Sequence, residues 1–526
     1  MSTRQAILSA SDRLICALIA LLILGGTVGF GGAVWWFAPV LSIGTFLLVF
    51  TKLAQILLTG RMPVFKSPLT LLGMLSLVLA VCQLAPLPAP LARCLSPTAH
   101  NVYACGFLPA LVRADAADVA IPQPPSLRSP ASLDRSATLR WLVTASACLG
   151  IFWVLSHFTD RLERLYLVWG LVIAGFLLNA ALAIVQVISR SNGLYGVLLP
   201  GTGPSWGPTL DDALVAPVLA VLKNLPDTAA TATLTPAVMP RAVLAPTLPF
   251  LFGTMMGGSG AFLASGTLAL PLASAVVLHL VSPRGSRESL PDRLGPSSLG
   301  SLVILVLILM FPAAILIGLV AGWFYCSPLV LGLAIVLIPA IVRSNSRNCA
   351  LGLLFLLFTG LGMGVALQTW WSAILSDRPP VEPPDLVLAR SLWSASLHMI
   401  QEFPLVGSGL GSFPTIFPYF KTIAVSSTTA MSTVLQWGVE AGAAGLGLLV
   451  VAVLWSLIRL PAGLKRVSRI DRSLAHGLVG AVVGMSLLAL VHWTMELPAI
   501  AISASALGGV WNRWLAGGTD LFLERG

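Results

Sequence analysis

Long apolar runs broken by short basic turns set the pattern of this chain. Twelve runs, near residues 14–34, 37–57, 69–86, 139–157, 166–188, 262–281, 300–320, 325–342, 349–371, 437–458, 475–492 and 498–515, approach the roughly 20 apolar residues that a membrane helix needs. Alternate turns carry the charge: Arg4 and Arg13; Arg61 and Lys66; Arg161 and Arg164; Arg284, Arg287 and Arg293; Arg343 and Arg347; Lys465, Arg466, Arg469 and Arg472; and Arg513 and Arg525. Basic short loops mark the cytoplasmic side, so this pattern predicts a multi-pass protein with both termini cytoplasmic. Three longer segments rich in Pro, Ser, Thr and Asp, about 87–138, 189–261 and 372–436, then fall outside. The predicted organisation is 1–86, a three-span bundle; 87–138, a first outer loop; 139–188, spans four and five; 189–261, a second outer loop; 262–371, spans six to nine; 372–436, a third outer loop; and 437–526, spans ten to twelve with a tail.

Composition sharpens this reading. With 526 residues, 57% hydrophobic, 10% charged and a mean hydropathy of +0.92, the chain holds more apolar surface than a soluble domain can bury. The net charge of +10 would point to nucleic acid in a soluble protein, but here it reports topology, and no nucleic-acid partner is expected. The run Leu14 to Val34 is long enough to span and lacks an A-x-A site, so it reads as an anchor. Cys94 and Cys105 share the first outer loop, where they either pair in an oxidising compartment or stay free. The other five cysteines read as small packing residues. The second outer loop is Ala/Thr/Pro-rich without periodicity and reads as an irregular lid or re-entrant piece.

Candidate chemistry concentrates between Arg390 and Leu446. On a helix, Arg390, Trp393, Ser394 and Leu397 share a face, which makes Arg390 either an interfacial anchor beside Trp393 or a cation for an anionic ligand. His398 and Glu402, four apart, are either a surface pair or a carboxylate orienting an imidazole base. Gly407, Gly409 and Gly411 follow no strand, so a tight turn is expected rather than a nucleotide loop. Glu440 opens a span and either pairs with Arg390 or caps its helix. His492 and Glu496 stand four apart near the outer end of span eleven, placed to join the same cavity or to anchor the helix end. His100, His157, His279 and His476 have no supporting context, and no His, Cys or carboxylate cluster has metal-ligand spacing.

The wording of this stretch resembles the O-antigen ligase and O-antigen polymerase superfamily of bacterial envelope glycosyltransferases. Arg390 and Trp393 match its R..W helix; Phe403, Pro404, Leu405, Gly407, Gly409, Gly411 and Phe413 match its glycine turn. Ala430, Leu435, Gln436, Val439, Glu440, Gly442, Gly445 and Leu446 match the start of its next span. Earlier phrases, QLAPLPAPLARCLSP and SLDRSATLRW, and the later VHWTMELP also read like it, with Glu496 in place of Asp. Phe252, Gly253, Thr254, Phe262 and Pro271 frame a further phrase whose polar centre has become Met256, Gly257, Gly258 and Ser259. Phe311 and Pro312 stand where relatives carry a Ser-Arg pair, and Met431 stands where they carry His.

The resemblance implies an all-α, GT-C-like bundle of about twelve spans in the bacterial inner membrane, with its outer loops in the periplasm. It implies metal-independent, cofactor-free transfer or polymerisation of glycans from an undecaprenyl diphosphate carrier to lipid A-core or another glycan acceptor, alongside envelope-assembly proteins. Arg390, Trp393, Glu440 and His492 would bind substrate, and His398 with Glu402 would supply the base. The alternative is a catalytically silent homologue that binds the lipid-linked glycan or assists an active paralogue or export machine.

Overall fold

The computed structural model describes residues 3–28, 37–60, 67–104, 129–189, 259–281, 298–342, 347–375, 384–420, 427, 429–468, 471–492 and 497–516. These residues form fifteen helices: α1 (Thr3–Val28), α2 (Phe37–Thr59), α3 (Pro68–Leu84), α4 (Ala89–Leu95), α5 (Pro97–Ala104), α6 (Arg135–Phe158), α7 (Leu162–Ser189), α8 (Ser259–Val281), α9 (Ser298–Val342), α10 (Arg347–Leu375), α11 (Pro384–Glu402), α12 (Phe413–Phe420), α13 (Thr433–Arg466), α14 (Arg472–Val491) and α15 (Pro498–Leu515). Among them the only strand-like pairing is an isolated antiparallel bridge, Leu87 to Ser129. The described chain is all-helical, as expected.

Nine described helices are long and apolar enough to cross a membrane, within α1, α2, α6, α7, α8, α9, α10, α13 and α14. Twelve runs were expected, and nine is the number among the described residues. Pro68–Leu84 and Leu305–Gly318 are shorter apolar helices. The last run is α15, where Ser503, Asn512 and Arg513, all buried, interrupt its apolar character.

The run α9 contains Pro312, Pro328 and Pro339, and it folds back on itself. The Cys326 thiol lies 3.9 Å from the Ile317 carbonyl oxygen, nine residues earlier. A Cβ on Gly360 of α10 would come within 3.1 Å of the Phe311 carbonyl. Along straight helices leading away from the short 343–346 link, Phe311 would stand about 46 Å out and Gly360 only about 20 Å out, so the contact requires a reversal near 318–325. The expected pair of runs, 300–320 and 325–342, is therefore present as two limbs.

The described chain divides into two compact units, the first formed by Met1–Lys66, Gly150–Val381 and Arg459–Gly526, the second by Ser67–Leu149 and Glu382–Ile458. The first unit is packed through small residues, the usual means of bringing membrane helices close. Backbone meets backbone where Gly332 of α9 crosses Gly480 of α14, and Gly477 lies against Ala275 of α8. Gly480→Ala is expected to destabilise this crossing by about 1–3 kcal/mol, because its methyl would strike the Gly332 carbonyl. The check is the thermal midpoint of the detergent-purified chain; Gly170→Ala, where a methyl meets nothing within 4 Å, should not lower it.

In the second unit, α11 is amphipathic. Leu392, Ala395, Met399 and, just past its end, Phe403 form one buried stripe. That stripe packs with Ala99, Phe413, Ile416, Phe417, Ala430 and Val439 into a single core. Helical periodicity then leaves Arg390, Ser394, Leu397, His398 and Glu402 on the exposed face.

Candidate functional site

The segment after α11 is a glycine turn docked into a break in α13. Gly407, Gly409 and Gly411 have φ of 74°, 114° and 79°, and Gly442, within α13, has φ 61° and ψ −159°. Four such values in one place need glycine, since a Cβ is strained in this region. At the break α13 loses the local partners of its backbone, and the turn replaces them. Ala443 and Ala444 donate to the carbonyls of Pro404 and Leu405 at 2.8 and 3.0 Å, while Ser408 and Gly409 donate to Val439 and Glu440 at 2.9 and 3.1 Å. Backbone groups on both sides of the kink thereby regain partners.

Side chains lock this arrangement. The Glu440 carboxyl, 2% exposed, accepts from the backbone of Gly411 at 2.8 Å and Phe413 at 3.2 Å, and from the Gln436 amide at 3.2 Å. Gln436 in turn accepts from Ala430 at 3.1 Å. Gln83, at the end of α3, donates to the carbonyls of Val406 and Glu440 at 2.6 and 2.8 Å and accepts from Leu410 at 3.0 Å. Leu133 donates to the Ser408 carbonyl at 2.9 Å. Asp134 caps α6 through Ala137 and accepts from the Thr415 hydroxyl at 2.7 Å. Although partial burial works against its charge, the Ala137, Thr415 and Ser136 bonds and Arg140 hold the Asp134 carboxyl below the usual carboxylate range.

The expected site residues divide accordingly. The glycines form the expected turn. Glu440 is placed within it rather than against Arg390, because its oxygens are occupied by the turn's own backbone. Trp393 is half-buried and donates from Nε1 to the Met431 carbonyl at 3.2 Å. That bond ties α11 to the segment just before α13, and Met431 itself holds a φ of 53°. Arg390 is exposed on α11. His398 and Glu402 are also exposed, and neither a hydrogen bond nor an ion pair joins them. Instead the His398 ring meets Phe420 edge-on at 5.6 Å, so the expected carboxylate-oriented imidazole is not formed.

His492 belongs to the first unit, 9% exposed and edge-on to Tyr325 at 5.6 Å; Arg390, Trp393 and Glu440 belong to the second. Its expected companion Glu496, the frame Phe252 to Thr254 with Met256 to Gly258, and Cys105 lie outside the described residues. Ser259, the last of the replaced polar positions, is the first residue of α8. Cys94 is exposed.

Sequence reasoning missed Gln83, Asp134 and His100. Gln83 had one signal, a lone amide closing an apolar run. His100, 2% exposed, accepts from the Arg93 guanidinium at 3.1 Å through Nε2, which leaves Nδ1 to donate to the Ser129 hydroxyl at 3.1 Å. In that tautomer it cannot serve as a base toward Ser129. Burial, then Arg93, pushes its pKa below the ordinary 6.5. The unfolded chain therefore takes up this proton first, and the stabilisation is full above pH 6.5 and lost as pH falls from there toward the depressed folded pKa. The thermal midpoint should drop between pH 7.5 and pH 5.5, and His100→Gln should remove part of that drop.

Comparison with family models, curated proteins and solved structures finds no match to this chain. The chemistry the second unit offers is an exposed guanidinium and an exposed imidazole on the solvent-facing side of α11. An Arg in that position can make forked bonds to phosphate oxygens.

Proposed function

We propose that the chain is an O-antigen ligase-like protein of the bacterial inner membrane, a GT-C-like bundle that handles undecaprenyl diphosphate-linked glycans in envelope polysaccharide assembly. One observation carries this reading: the three phrases of the resemblance, spread from Arg390 to Leu446, interlock through Trp393 to Met431 and through Glu440 to Gly411 and Phe413. Arg390 binds the diphosphate and Trp393 fixes its helix. His398 is the base toward the acceptor hydroxyl, reaching it without help from Glu402. No metal is needed, because the diphosphate is already a good leaving group. Both termini face the cytoplasm and the glycine turn faces the periplasm, following the placement of basic loops.

A second reading, a silent homologue that binds the lipid-linked glycan without turnover, is favoured by Met431. This side chain packs against the apolar core at the position where relatives carry a titratable group. Reconstitution with undecaprenyl diphosphate glycans and lipid A-core acceptor separates the two readings. Transfer that His398→Ala abolishes supports the first, and donor binding without transfer supports the second. Absence of binding overturns both.

A further inference from the structure

A polar cluster in the first unit has no part in the proposed chemistry. Lys52, on α2, is 9% exposed, and its ammonium has one hydrogen-bond acceptor among the described residues, the neutral Gln55 amide oxygen at 2.8 Å. The nearby carboxylates are engaged elsewhere. Arg164 holds Asp12 at 2.9 Å and Asp160 at 2.8 Å, and the second oxygen of Asp12 accepts from Gln55 at 2.6 Å. The charged groups acting on Lys52 are Arg164, Asp12, Asp160 and Arg513, a set with one more positive than negative member once Lys52 is counted. Arg513, 8% exposed on α15, donates to the Ser156 carbonyl at 3.3 Å, and Asn512 donates to the Ser156 hydroxyl at 3.1 Å.

A largely buried ammonium whose one hydrogen-bond acceptor among the described residues is a neutral amide is costly, because burial weakens its hydration and no anion replaces it. The missing element is an anion with several acceptor oxygens. Lys52 stands seven residues before the end of α2 at Thr59, about 10 Å along the helix, close to where a bilayer's hydrocarbon gives way to headgroups. Asp12, Asp160 and Arg513 all come from chain segments whose basic loops the sequence places on this same side.

We propose that Lys52, supported by Arg513, binds a phosphate group at this end of the first unit. The phosphate oxygens accept the two remaining ammonium protons and balance the surplus charge. Its source is either the headgroup of an anionic phospholipid or a soluble phosphate.

The test uses the full-length chain, delipidated in detergent. One arm measures the thermal shift on adding inorganic phosphate, with chloride at equal ionic strength as reference. The other measures retention of phosphatidylglycerol against phosphatidylcholine by native mass spectrometry. A shift in the first arm identifies soluble phosphate, and selective retention in the second identifies the lipid. In either case Lys52→Met should weaken binding on the order of a hundredfold, about tenfold for each of the two charge-assisted bonds lost, and Arg513→Gln should weaken it less. Without phosphate, Lys52→Met should melt no lower than the parent, since it removes a buried charge. The proposal is overturned if the parent responds in neither arm, if both variants bind like the parent, or if Lys52→Met melts far lower with no phosphate present.

Discussion

Glu440→Ala is expected to open the glycine turn and to lower the melting temperature of the whole chain sharply. Glu440 receives two backbone donors from the turn and one amide donor from its own helix, all away from water. Each donor left without a partner costs about 1–3 kcal/mol, so the total reaches several kcal/mol. Few single substitutions exceed about 4–5 kcal/mol. The measurement is the fraction of detergent-purified chain that stays monodisperse through a temperature ramp, and the turn should become accessible to protease between 404 and 412. Glu440→Gln keeps one acceptor oxygen and should lose about half as much. Equal melting of the parent and Glu440→Ala would mean that the turn does not depend on this carboxyl.

Arg390→Ala is expected to show the opposite profile, with the melting curve unchanged and donor binding reduced on the order of 10- to 10²-fold. The side chain is exposed on α11, outside the buried stripe of Leu392, Ala395 and Met399, so its removal opens no cavity. Arg390→Lys is the sharper comparison. An ammonium anchors a helix at an interface as well as a guanidinium does, but it cannot make forked bonds to phosphate oxygens. If Arg390 is a diphosphate ligand, lysine should recover only a small part of the binding. Full recovery by lysine would assign the residue to the interface instead.

These two residues also show where the chain was legible before its fold was known. The exposed face of α11 follows from helical spacing alone, and the three glycines of the turn follow from their clustering where no strand could precede them. The partners of the turn were not legible. Gln83 stands more than 300 residues from Val406, and nothing local to either one signals the bond between them. Asp134 reads as an ordinary helix cap, and its second role toward Thr415 exists only once α6 and α12 meet. Glu440 looked free to reach Arg390 because sequence does not show that the backbone of a distant turn will fill a carboxyl group. His398 and Glu402, read as either a surface pair or an oriented base, share the exposed face without a bond between them, for a related reason. Spacing of four brings two side chains onto one face, but on an exposed face water competes for both, and Phe420 gives the imidazole a different neighbour.

The reversal within α9 bears on how the chain enters its membrane. The tip between Ile317 and Cys326 reads GLVAGWFY, without a charge, while Arg284, Arg287 and Arg293 precede the first limb and Arg343 and Arg347 follow the second. Both limbs can therefore be threaded together as one hairpin whose leading end carries nothing that resists translocation, while arginines hold both trailing ends behind. Such a pair carries one orientation signal for both limbs, the arginines at its two trailing ends.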